Sequence, residues 1–165
     1  MNWLTGQGLT GLPEPELLRG FCERCRAEGL ELSRGLVIID TLHPIYEGRA
    51  FRWSDVPSNE SDVIEYGSTA EGDSARNWRR STFFHMLEHG HDEMVLDLAD
   101  APSLDFSQID ELAEKGHRHY LAFVHRFGEN GALGQMDCLY SNCSTRREAG
   151  FTEPQLAALG DLRRV

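Results

Sequence analysis

Residues 34–53 read RGLVIIDTLHPIYEGRAFRW. The run Leu36-Val37-Ile38-Ile39 is the clearest apolar stretch in the chain. Its β-branched side chains suit a pleated surface better than a helix, so 34–42 reads as a buried strand. The second half alternates, with Ala50 and Arg52 on one face and Arg49, Phe51 and Trp53 on the other, which makes 48–53 a second strand. Only Pro44-Ile45-Tyr46-Glu47 separates them. A parallel pair needs a crossover of a dozen residues or more, so these two strands pair antiparallel.

On the N-terminal side, Leu17, Leu18, Phe21, Cys22 and Cys25 follow helical spacing from Glu16, and Gly29 is a C-terminal stop. Residues 1–15 are rich in Gly, Pro and Leu and read as an extended lead-in. On the C-terminal side, Ser54–Ser61 is a polar loop and Val63–Tyr66 a third strand. Trp78–Glu88 reads as one short helix, with Phe83, Phe84 and Leu87 as its core stripe, and Glu93–Leu98 as a strand. Asp105–Lys115 is a helix closed by Gly116. His119–Phe127 and Leu133–Cys143 are strands joined by the turn Gly128-Glu129-Asn130-Gly131. Thr152, with Glu153 and Pro154 behind it, opens a last helix. There is no regular βα alternation, so the class is α+β: a mainly antiparallel sheet, with the N- and C-terminal helices packed on one face.

Composition excludes several functions. Acidic residues outnumber basic ones 27 to 16, for a formal net charge of −11 across 165 residues. A nucleic-acid binder needs the opposite sign, and an anionic membrane surface is disfavoured for the same reason. No segment approaches the roughly 20 apolar residues of a membrane span, and the N-terminus MNWLTGQGLT lacks the features of a secretory signal. A cytoplasmic protein is expected, in which the four cysteines are thiols rather than two disulfides.

Those thiols form two local pairs, Cys22-x-x-Cys25 and Cys138-x4-Cys143. If they converged they could hold zinc or an iron–sulfur cluster. Against this, Cys22 and Cys25 lie on a helix stripe, and Cys138 and Cys143, five apart, face opposite sides of a regular strand. Buried apolar thiols are the plainer reading. A thioredoxin-type dithiol is not supported, since the pair lies about two turns inside its helix. His85 and His89 are four apart on a helix, with His91 beyond, but no Glu follows His85 to make a zinc-protease motif. His117, His119 and His125 could each line a pocket or serve as satisfied structural groups. His43, at a strand end before Pro44, is the candidate ligand-binding residue. There is no phosphate-binding loop, nucleophile elbow or zinc-deaminase signature, and hence no catalytic residue.

Four stretches together resemble a known family. They are Leu18–Arg24 (LRGFCER), Asp40–Trp53 (DTLHPIYEGRAFRW), Trp78–His85 (WRRSTFFH) and Gly134–Ser141 (GQMDCLYS). They are similar to the N-terminal region of bacterial class III adenylate/guanylate cyclases, with Asp40-Thr-Leu-His-Pro44 the most specific part. The resemblance implies a GAF-like sensor domain over 16–151. It also implies that 152–165 begins a helix leading to a cyclase domain in the same polypeptide, where the catalytic residues of that family reside. Signal would pass through a homodimer by a change in the packing of the last helix. The alternatives are a four-cysteine iron–sulfur or zinc domain that senses redox state, and a ligand-free dimerisation module whose interior is filled by Phe, Leu and Val.

Overall fold

In the computed structural model, the described residues are 2–41, 45–57, 61–68, 71–99, 106–126 and 138–163. The elements run α1 (Asn2–Leu9), α2 (Glu14–Ala27), β1 (Arg34–Asp40), β2 (Gly48–Ser54), β3 (Val63–Tyr66), α3 (Gly72–Arg79), α4 (Thr82–His89), β4 (Glu93–Asp97), α5 (Ser107–Glu114), β5 (His119–Arg126), β6 (Cys138–Thr145) and α6 (Glu153–Arg163). One six-stranded sheet, in the order β3-β2-β1-β6-β5-β4, is antiparallel at every pairing. The expected β1–β2 hairpin forms, with Val37 opposite Phe51 and Ile38 opposite Ala50. The centre of the sheet is β1 against β6, where Arg34 faces Ser144 and Ile39 faces Leu139.

The two-residue period of the strands sorts their side chains into two cores. On one face Leu36, Ala50, Tyr120, Ala122, Val124 and Tyr140 meet Phe83 and Met86 of α4 and Ile109 and Leu112 of α5. On the other, Phe51, Trp53, Leu121, Phe123 and Cys143 meet Leu18, Cys22 and Cys25 of α2 and Leu159 of α6. The terminal helices α2 and α6 therefore share a face, as expected. α2 places Glu14 and Glu16 in its first turn and Arg24 and Arg26 in its last, the arrangement its dipole favours. α6 is opened by a reciprocal cap: the Gln155 N–H donates to Thr152 Oγ1 (3.4 Å), and the Thr152 N–H to Gln155 Oε1 (2.9 Å).

Three expectations are corrected. The lead-in is not extended throughout: Asn2–Leu9 is helical and docks on α2. The Trp3 ring lies so close to Gly20 that a Cβ there would sit 2.3 Å from it, and the Arg24 guanidinium lies 4.3 Å from the ring centroid. Packing, not propensity, makes this helix. Secondly, 78–88 is not one helix. The chain breaks at Arg80-Ser81, where Ser81 is extended and its Oγ accepts the Phe84 N–H at 3.1 Å, starting α4 afresh. Thirdly, the buried stripe of α4 is Thr82, Phe83 and Met86, while Phe84 and Leu87 are half-buried. The expected Gly128–Gly131 turn lies outside the described residues.

Candidate functional site

The sheet face beneath α3, α4 and α5 is not filled by its own side chains. A cavity of about 780 Å3 lies over β1, β2 and β3. The antiparallel registers lay out its floor in rows: Arg34 beside Ser54, Leu36 beside Arg52, Ile38 beside Ala50, and Ala50 beside Ile64. The floor thus runs from a polar, cationic end to an apolar end. Trp78, Phe83 and Leu112 cover it from the helices, and Tyr66 lines the apolar end. There the Tyr66 hydroxyl donates to Asp40 Oδ1 at 3.1 Å. Burial raises both of their pKa values.

The cationic end gathers side chains from both ends of the chain. Arg34 Nη1 donates to Asn142 Oδ1 (3.2 Å), and Arg52 Nη2 to the Ser61 carbonyl (2.7 Å). Arg146, just beyond β6, donates from Nη1 to Asp55 Oδ1 (2.6 Å) and from Nε to the Lys115 carbonyl (3.2 Å). Lys115 pairs with Glu111 one helical turn back on α5. His117 lies among them, 1% exposed, and its Nδ1 has no hydrogen-bond partner among the described residues. Its pKa is lowered to about 4, by burial first and then by the Arg146 and Arg34 guanidiniums. On the same sheet face Ser144 Oγ is buried without a partner among the described residues, while Tyr120 Oη shares a hydrogen bond of 2.7 Å with Thr82 Oγ1 and interacts with the Asn142 side chain.

The cysteines divide. Cys22, Cys25 and Cys143 belong to the core under α2, whereas Cys138 belongs to the core on the opposite face. The sheet lies between them, so the four-cysteine ligand set is not assembled; β6 runs unbroken from Cys138 to Thr145, and five residues of regular strand reverse the face. Among the described residues no group of three or more His, Cys, Asp or Glu side chains is placed to hold a metal ion. Burial raises the Cys25 thiol to about 11 and the Cys143 thiol to about 12, and raises Cys22 further. A thiol in such surroundings stays protonated.

His43 lies outside the described residues. His85, His89 and His91 stack on one another at the exposed end of α4, with ring centroids 4.1 and 6.1 Å apart. His119 is structural: its Nδ1 accepts the Phe151 N–H at 3.1 Å. His125 shares a hydrogen bond of 2.7 Å with Ser141. Of the flagged histidines among the described residues, only His117 lines the cavity. Arg34, Arg52 and Arg146 also line the cavity, and no motif in the sequence marks them. The signal was present for Arg52, a charged residue on the same strand face as inward-pointing Ala50.

No protein-family model matches the sequence, and no curated protein does. The structure, however, matches solved GAF domains. One is the GAF domain of a two-component sensor histidine kinase from Bacillus halodurans, at 12% identity and a TM-score of 0.58, covering 93% of this chain and 90% of that one. Another is the phycocyanobilin-bound GAF domain of a cyanobacterial phytochrome, at 12% identity and a TM-score of 0.53, covering 99% and 87%. The chain has the fold of these GAF domains. At this identity the likeness concerns the fold alone, and function rests on the site. Among the described residues no helix is long and apolar enough to cross a membrane.

Proposed function

We propose that this chain is a ligand-responsive regulatory domain, acting on a nucleotide cyclase domain of class III in the same polypeptide. The observation that carries the sensor reading is the cavity of about 780 Å3 between the sheet and α3–α5, a volume typical of small-molecule sites. The cyclase output rests on the resemblance of residues 18–24, 40–53, 78–85 and 134–141 to cyclase N-terminal regions. The domain works as a cytoplasmic homodimer. Occupancy of the cavity biases how α2 and α6, which share the far face of the sheet, pack against a partner copy. The chain carries no catalytic role itself, and its acidity argues against nucleic acid as a partner.

The test is cyclic-nucleotide synthesis by the full gene product, with and without Ala50→Trp, which places an indole in the cavity floor. The substitution should change basal synthesis severalfold while the domain still folds. A product that makes no cyclic nucleotide removes the cyclase reading and leaves the sensor reading. Equal synthesis by both proteins removes the coupling between cavity and output.

A further inference from the structure

Three of the seven histidines, His85, His89 and His91, fall at one end of α4, and none of them belongs to either core or to the cavity. His89 and His91 are exposed, and His85 is half-buried with its ring 5.5 Å from that of Phe106. The helical repeat sets His85 and His89 one turn apart on one face, away from the buried Phe83 and Met86, and their rings stack at 4.1 Å. His89 Nδ1 lies 2.8 Å from the His85 carbonyl oxygen. A carbonyl can only accept, so the His89 proton sits on Nδ1 and Nε2 keeps its lone pair. A metal-ligating histidine is typically held in this way, by a hydrogen bond from the ring nitrogen that does not bind the metal. The His85 ring makes no hydrogen bond among the described residues, which leaves it free to turn. The local field suits a cation. His89 closes the last turn of α4, the negative end of the helix dipole, and Glu88 is its exposed neighbour. From Ser81 to Glu114 the sequence contains no Lys or Arg.

We propose that His85 and His89 form a two-histidine site for a divalent transition-metal ion, copper(II) above nickel(II) and zinc(II), with water completing the coordination shell. Imidazole nitrogen suits these ions, and affinity at a nitrogen site peaks at copper. Magnesium and calcium take oxygen ligands and are not accepted. Metal–nitrogen bonds of about 2 Å bring two ligating nitrogens to roughly 3 Å from one another. Rings already stacked at 4.1 Å reach that spacing by turning about their own side-chain bonds, with the helix unmoved. His91 is not a ligand: its ring is parallel to that of His89 at 6.1 Å, and no group of three such side chains among the described residues is placed around one ion. The ion ties the last turn of α4 together, so it favours the folded chain over the unfolded one. The site is independent of the cavity and of any output domain.

The experiment is calorimetric titration of the full chain, free of any affinity tag, with copper(II), nickel(II), zinc(II) and magnesium chlorides, joined by electron paramagnetic resonance of the copper form. Copper should bind tightest, nickel and zinc more weakly, and magnesium should give no saturable heat. His85→Ala and His89→Ala should each weaken copper about tenfold or more, and His91→Ala less than about threefold. The resonance spectrum should show two coupled nitrogens in the unaltered chain and one in His85→Ala or His89→Ala. Copper should raise the melting temperature of the unaltered chain and leave that of His89→Ala in place. Absence of saturable copper binding overturns the proposal. Copper affinity indifferent to both His85→Ala and His89→Ala overturns it too, as does a loss on His91→Ala as large as on the other two. A single coupled nitrogen in the unaltered chain, or magnesium binding as tightly as copper, has the same consequence. Circular dichroism establishes that each variant is folded. Should His85→Ala disturb the fold, the exposed His89→Ala and the spectrum of the unaltered chain still decide the matter.

Discussion

His117 is a base kept from its proton. Its folded pKa, about 4, lies below the ordinary 6.5, so the unfolded chain binds the proton first. Its contribution to stability is complete above pH 6.5 and is lost as pH falls towards 4, up to about 3 kcal/mol at 1.36 kcal/mol per unit. Urea denaturation across this range should show that loss, and His117→Phe should flatten it. The thiols have the opposite sign. The ordinary value is 9.0, and Cys25 and Cys143 are raised to about 11 and 12. Their contribution is complete below pH 9 and is lost as pH rises through the folded values, so the melting temperature should decline beyond pH 9. Iodoacetamide at pH 8 should label Cys22, Cys25 and Cys143 far more slowly in the folded protein than in urea. A fast-labelling Cys22 would contradict its burial. At this scale the sequence was legible for the cysteines, since strand parity alone separates Cys138 from Cys143. It was illegible for His117, whose fate depends on Arg146, twenty-nine positions away and on another element.

At the level of elements, α2 lies close upon β1. A Cβ added at Gly35 would meet Cys22 Sγ at 2.7 Å and Leu18 Cδ1 at 3.5 Å, so the helix lies against bare backbone. Gly35→Ala should destabilise the domain by about 1–3 kcal/mol through overpacking. Cys22→Ala in the same chain should recover part of that loss, and a double-mutant cycle in denaturant measures the coupling. Ser81→Ala should cost about 1 kcal/mol by removing the cap that starts α4. The hairpin of β1 and β2 was readable because its alternation and its short connection are local. The break between α3 and α4 was not, because Arg79-Arg80-Ser81 continues a helical pattern until the cap is recognised. α1 was hidden in a glycine-rich stretch of weak propensity that is helical only where Trp3 has Gly20 and Arg24 to rest on.

For the whole molecule, the order β3-β2-β1-β6-β5-β4 brings the beginning and the end of the domain together at its centre. The cavity exists because of that order, since Arg34 and Arg52 come from the first hairpin, while His117 and Arg146 flank the last two strands. No local pattern encodes such a meeting, and for that reason the architecture could be read from periodicity while the site could not. The same closure governs synthesis. As the chain leaves a ribosome, α2, β1, β2 and β3 are free to pair long before β6 has been translated. Until residues 138–145 emerge, β1 has an open edge, with Val37, Ile38 and Ile39 awaiting partners on Leu139, Tyr140 and Ser141. Non-local pairings of this separation are slow to form, and an apolar open edge is a template for the wrong neighbour. The vulnerable period in the life of this domain is its own translation, and chaperone demand should fall once β6 is released.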